Sequence, residues 1–206
     1  MRPNDPIINI LYGYTKALSV ALGYRDPLTR QHSERVRDIA TAMGSHLGLT
    51  GQTRDALMLA ASFHDIGKIG IPDHILMKST PFTADEWETM KTHSEIGERI
   101  IASVEIEGAA QAAKVIRHHH EYFNGRGYPD GLAGTDIPIC SRITAIADNY
   151  DAMAVTRSYH SARPHEQIME IMREETGSKL DPDLMDVFHE VIESEPFKQQ
   201  RAAPRS

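Results

Sequence analysis

The chain has 206 residues, 40% hydrophobic and 25% charged, enough for one globular domain with a sizeable core. A net charge of -7 excludes a general binder of nucleic-acid polymers, which needs a basic face, yet bound cations would still let the chain take a small phosphorylated ligand. The lone Cys140 permits no internal disulfide, no apolar run can span a bilayer and the start Met1-Arg2-Pro3 makes a poor leader, so a cytoplasmic protein away from the membrane is expected.

Apolar residues recur at helical spacing almost throughout, and no alternating run reads as a strand. Residues 6–23 place Ile7, Ile10, Leu11, Tyr14, Leu18 and Leu22 near one face. A second predicted helix runs from Thr29 to Leu47 and stops at Gly48. A third, Gln52 to His64, carries Leu57, Leu59, Ala60 and Phe63 and delivers His64 at its C-terminal end. Ile69 to Ser79 contains proline and reads as a connection. Thr83-Ala84-Asp85-Glu86 is a capping box, opening a helix to about Ser103. Another helix is predicted over 107–120. The stretch Asn124 to Gly131 is too rich in Gly and Pro to be regular. Helices follow over 139–156, 164–176 and 182–194, the last with Asp181 as N-cap and Pro182 at its first position. From Gln199 the tail is polar and expected to be disordered. The expectation is an all-α bundle of about eight helices in which side chains from different helices converge on one site.

The residues that carry chemistry centre on His64-Asp65, within Phe63-His64-Asp65-Ile66-Gly67-Lys68. A neighbouring imidazole and carboxylate can each give a lone pair to a metal, and the carboxylate can bridge two. His32 and His93, taken singly, read as ordinary helical histidines. His118-His119-His120-Glu121 is stronger, because consecutive imidazoles cannot all enter an apolar core. Asp148, in Ile146-Ala147-Asp148-Asn149-Tyr150-Asp151, could merely cap or hydrogen-bond. Together His32, His64, His93, His119 and His120 with Asp65 and Asp148 make seven candidate ligands. That is too many for one catalytic metal with an open position and about right for two. Nitrogen and oxygen donors without thiolates suit Fe, Mn, Co or Zn rather than Mg or Ca.

In order and spacing these residues resemble the HD-GYP family, a branch of the HD-domain metallophosphohydrolases. The resemblance covers about residues 24–190. It rests on Arg25-Asp26-Pro27 with Thr29, then His32-Ser33-Glu34-Arg35-Val36 and His64-Asp65-Ile66-Gly67-Lys68-Ile69. Ile71-Pro72-Asp73, Lys78, His93, His119-His120-Glu121, Gly125 and the tripeptide Gly127-Tyr128-Pro129 continue it. Gly131-Leu132, Ile137-Pro138, Arg142-Ile143, Asp148, Asp151-Ala152-Met153, Arg157 and Tyr159 complete it.

The resemblance implies an HD-domain helical bundle with an irregular Gly-Tyr-Pro loop, and phosphodiesterase activity on cyclic di-GMP, a bacterial second messenger. It divides the chain into an N-terminal helix (1–23, continuing a linker), a catalytic domain (24–195) and a polar tail (196–206). Carried over, His32, His64, Asp65 and Asp148 hold one metal, and Asp65 bridges to a second held by His93, His119 and His120. Two divalent cations, Fe or Mn first and Co, Ni or Zn as substitutes in a purified sample, would activate a bridging hydroxide and clamp the phosphate. Lys68 resembles the family lysine that neutralises the phosphate, so Asp65 and Lys68 are the catalytic candidates. Arg157, Tyr128 and Asp151 match positions near the substrate. His118 falls outside the pattern.

Two departures stand out. The usual Arg-Pro-Tyr-basic run is here Arg157-Ser158-Tyr159-His160. Leu28 stands where family members with three metals carry a carboxylate. Hydrolysis of cyclic di-GMP to linear pGpG, and on to GMP as an open extension, is the leading expectation. A cyclic-dinucleotide receptor without turnover, or a hydrolase of 3′,3′-cyclic GMP-AMP or (p)ppGpp, are the alternatives. A diguanylate cyclase or sensor partner and a homodimer follow from the resemblance alone.

Overall fold

The structure is a computed structural model that describes residues 23–24, 27–105, 108–155 and 162–202. The described residues are helical and contain no strand, only the isolated bridges Asn124–Ala133 and Thr176–Leu180. The expected all-α fold is what the chain adopts. In chain order the helices are α1 (Pro27–His46), α2 (Gly51–Phe63), α3 (Asp73–Leu76), α4 (Ala84–Lys91), α5 (His93–Ala102) and α6 (Ala109–His118). There follow α7 (Ile139–Ala154), α8 (His165–Glu175), α9 (Pro182–Ile192) and α10 (Glu195–Ala202). Single 3-10 turns occupy Ile66–Gly70 and Gly134–Asp136. No helix among the described residues is long and apolar enough to cross a membrane.

Each of the main helices buries one stripe. In α1, Val36, Ile39, Ala40 and Met43 recur at the spacing of one helical face and are all buried. In α2 the stripe is Leu57, Ala60 and Ala61, in α6 Ala112, Ala113 and Ile116, and in α7 Ile143, Ile146, Ala147 and Tyr150. These join Phe188, Leu184 and Ile192 of α9 in one continuous core. α1 packs on α2 and α7, α2 on α6, and α5 on α6. The small residues along α2 and α6 allow close approach of the backbones. Truncating a fully buried member such as Ile146 to alanine would cost about 2–5 kcal/mol.

Several boundaries differ from expectation. The helix read through to Ser103 is broken at Thr92, whose hydroxyl donates to the carbonyl of Thr89 at 2.7 Å and so competes with the helix ladder. The capping box at its start is present, with the Thr83 N–H on the Glu86 carboxylate at 2.7 Å and the Glu86 N–H on the Thr83 hydroxyl at 3.3 Å. The connection over 69–79 holds the end of the 3-10 turn Ile66–Gly70 and the whole of α3, whose N-cap is Pro72. The tail is helical to Ala202, anchored by Phe197 against the core. Asp181 caps α9 as expected, accepting from the N–H groups of Asp183 and Leu184 at 2.9 and 3.3 Å. The helix predicted over 6–23 lies outside the described residues, save its last position.

The turn Ile66–Gly70 lies directly against α5. A Cβ on Gly67 would sit 1.8 Å from the His93 carbonyl oxygen and 2.5 Å from the Gly97 nitrogen. Those obstacles are backbone, so no rotamer change relieves them. Gly67→Ala is expected to wedge the turn carrying Asp65 away from α5 and lower the melting temperature by roughly 5–12 °C. A thermal melt indistinguishable from that of the parent would refute the close approach.

Candidate metal centre

The apolar stripes do not stop at the core; each ends in a candidate ligand. His32 lies four residues before Val36 on α1, and His64 follows Ala60 and Ala61 just past the end of α2. His119 continues Ala112 and Ile116 on α6, and Asp148 stands one turn after the buried Thr144 on α7. His93 opens α5 on the face of Gly97 and Ile101. The helices therefore deliver these groups to one place for the same reason that they pack.

The place has two halves. His32, His64 and Asp148 bring one nitrogen or oxygen each within 4.8 Å of one another, and so do His93, His119 and His120. Asp65 lies between them. Its Oδ2 is 3.5 Å from His64 Nε2 and its Oδ1 is 3.6 Å from His93 Nε2, one oxygen toward each half. The rings form a continuous array, with centroids of His32 and His64 5.2 Å apart, His64 and His119 5.3 Å, and His93 and His120 5.0 Å.

The hydrogen bonds of these residues suit them to metal ions. His64, His93 and His119 each donate Nδ1–H to a backbone carbonyl three residues earlier, at 3.0, 2.8 and 2.6 Å. That bond fixes the tautomer and leaves Nε2 as a bare lone pair aimed into the site. All three Nε2 atoms are buried without a hydrogen-bond partner. Burial of such an acceptor is costly unless something binds it. The donors fit divalent cations.

The protonation states agree. Burial pushes the His93 imidazole below its ordinary pKa, with Lys68 adding to the effect. His119 is driven down to about 3 by burial and by its neighbours His64 and His93, and His120 is lowered by burial, His119 and His93. These rings are neutral at physiological pH, as metal ligands must be. His32 is the exception. Burial opposes its cation, but the carboxylates of Asp148 and Asp151 overcome this and raise it to about 9. Its Nε2 lies 3.0 Å from Asp148 and its Nδ1 2.7 Å from Asp151, so a proton sits where a metal bond would form. Asp65 stays ionised well below the usual carboxylate range despite burial, held there by Lys68, His64 and His93.

Other expected site residues are placed as follows. Lys68 sits on Asp65, its ammonium 2.6 Å from Oδ2. Asp151 is buried; it orients His32 and takes two nitrogens of Arg35 at 2.6 and 2.9 Å. Tyr128 lies against His120 with ring centroids 4.9 Å apart, and its N–H donates to the His120 carbonyl at 3.1 Å. Gly127 permits that approach, since a Cβ there would come 2.2 Å from the Tyr122 nitrogen. Arg157 and Tyr159 lie outside the described residues, and of Leu28 only the backbone, in α1, is described.

His118 turns away from the candidate ligands. Its Nε2 meets Asp130 at 2.8 Å, and Arg117 grips the same carboxylate with two bonds of 2.7 Å while its third nitrogen reaches Glu98 at 2.8 Å. Glu121 accepts the Asp130 N–H at 2.7 Å. This network ties the Gly-Tyr-Pro loop to α6. The sequence carried a signal for it only in hindsight: a third consecutive histidine beside an arginine, with one acid following Pro129.

A model of the HD domain family matches residues 16–184. A "Cyclic di-GMP phosphodiesterase" of Thermotoga maritima is 35% identical over 180 residues, covering 87% of this chain and 49% of that protein. A "3'3'-cGAMP-specific phosphodiesterase 2" of Vibrio cholerae is 36% identical over 173 residues, covering 84% of this chain and 33% of that protein. The chain thus spans half or less of the length of these relatives. Among solved structures, a cyclic GMP-AMP-specific phosphodiesterase of V. cholerae superimposes with a TM-score of 0.68 at 19% identity, over 96% of this chain and 51% of that one.

Proposed function

The chain belongs to the HD domain family, and from that membership and the paired ligand halves we propose that it is a metal-dependent phosphodiesterase converting cyclic di-GMP to linear pGpG. The observation that carries the proposal is Asp65, with one oxygen facing each half of a site whose three Nε2 atoms have no other partner. His32, His64, Asp65 and Asp148 would hold one divalent cation, and Asp65, His93, His119 and His120 the other. When bound, the pair supplies positive charge for the phosphodiester and lowers the pKa of water. Fe or Mn suits this donor set best.

The chain's own residues supply the rest. The Nδ1 bonds of His64, His93 and His119 hold the imidazoles in one orientation before substrate arrives, so no reorganisation is needed. Asp151, locked by Arg35, does the same for His32. Lys68 adds a cation beside Asp65, within reach of an anionic substrate. Lys68→Ala is expected to lower kcat/KM roughly ten- to hundredfold, the scale of one charge-assisted contact, with both metals retained. Unchanged steady-state constants would return Lys68 to a structural partner of Asp65.

A second reading has a specific basis, because relatives named for cyclic di-GMP and for 3'3'-cGAMP are similar to this chain to nearly the same degree, 35% and 36%. The deciding experiment incubates the metal-loaded protein with each dinucleotide, identifies products by chromatography and mass spectrometry, and counts metals by elemental analysis. The expected result is pGpG from cyclic di-GMP, with slow or no cleavage to GMP, and two metals per chain. Position 28, one helical turn before His32 in α1, is leucine and has no lone pair for a third ion. Intact cyclic di-GMP after prolonged incubation would favour a receptor, cleavage of the GMP-AMP hybrid alone would transfer the substrate, and three tightly held ions would overturn the count.

A further inference from the structure

Four of the five exposed large hydrophobic side chains among the described residues, Ile69, Met77, Phe82 and Trp87, lie between positions 69 and 87. Such clustering is unlike the single scattered apolar residues of an ordinary surface. Trp87, on α4, is 42% exposed. Phe82 stacks on it, centroids 6.2 Å apart and planes 23° from parallel. Its other neighbour is Tyr128, met edge-on at 6.0 Å. Tyr128 in turn leans on His120 at 4.9 Å and faces His93 at 6.5 Å. An unbroken row of rings therefore leads from two metal-facing imidazoles out to solvent.

The row has a cation beside it. The Lys91 ammonium lies 5.8 Å over the Tyr128 ring and pairs with the exposed Glu88 at 2.8 Å. An exposed pair of this kind contributes little, so an arriving phosphodiester can compete for the lysine. The occupant that suits the whole row is planar and aromatic at its outer end and anionic at its inner end. A nucleotide is such a molecule: with its phosphate at the metal ligands, its base extends past Tyr128 toward the indole.

We propose that Trp87, backed by Phe82, is the stacking platform for one nucleobase of the cyclic dinucleotide. The assignment rests on the phosphodiesterase reading above and deepens it. Phe82 and Tyr128 hold the indole in place before substrate binds, which lowers the ordering cost of the contact. Stacking accepts any base, because every base has a π face, so Trp87 contributes affinity and does not separate guanine from adenine.

Trp87 is the single tryptophan of the chain, so intrinsic fluorescence reports on this position alone. Mixing metal-loaded protein with cyclic di-GMP should quench that emission for as long as substrate remains. Trp87→Ala should raise KM about tenfold with kcat nearly unchanged, the scale of one lost base stack, and Trp87→Phe should recover most of the loss. Hydrolysis with unquenched emission and an unchanged KM in Trp87→Ala would overturn the platform while leaving the activity standing. Stable quenching without hydrolysis would keep the platform and overturn the enzyme. Neither quenching nor hydrolysis would overturn both.

Discussion

Asp65→Ala should reduce hydrolysis of cyclic di-GMP to the rate seen without protein and leave neither metal tightly bound. The size of the effect follows from position. Asp148 faces one half of the site, through His32 at 3.0 Å and His64 at 3.8 Å. Asp65 faces both halves, so its loss would take an anionic donor from each of the two cations that the site would hold. The substitution should leave the fold standing, because the stripes of α1, α2, α6 and α7 pack without it. A melting temperature within a few degrees of the metal-free parent is expected. Asp148→Ala is the internal comparison and should weaken the His32–His64 half more than the other. Elemental analysis and product assays on both variants test the difference; parental turnover in an Asp65→Ala protein shown to lack both metals would sink the mechanism.

Much of the fold was legible because the same periodicity encodes both core and site. The residues four before Val36 and three after Ile116 are histidines, so these candidate ligands continue the stripes that their helices bury. Caps were legible for a local reason: Thr83 with Glu86, and Asp181 with Pro182, satisfy backbone groups within a few residues of themselves. What was not legible depends on pairs far apart in sequence. The bond of Asp151 to His32, 119 positions away, exists only because α7 packs on α1. The break at Thr92 is a competition between one hydroxyl and a helix ladder, and periodicity cannot see it. Trp87 belongs to an amphipathic helix by pattern, and only its meeting with Tyr128 separates a platform from an exposed side chain.

Removing the metals should abolish activity, and the manner of their return should depend on pH. Chelation leaves the neutral imidazoles of His93, His119 and His120 ready to rebind, since burial holds all three below their ordinary pKa. The half built on His32 differs, because that ring is protonated up to about pH 9 by Asp148 and Asp151. A cation must displace this proton, so below about 9 the affinity of that half should rise with pH, by up to tenfold per unit, and level off above it. Calorimetric titration with Mn at pH 7.5 in two buffers of different ionisation enthalpy should show release of close to one proton for the weaker site and none for the tighter. Activity should return with Fe or Mn and poorly with Mg, a hard ion that prefers oxygen donors and sheds water reluctantly. Full activity in Mg after removal of all transition metal would contradict the histidine-rich site, and two pH-independent binding steps would contradict the protonated His32.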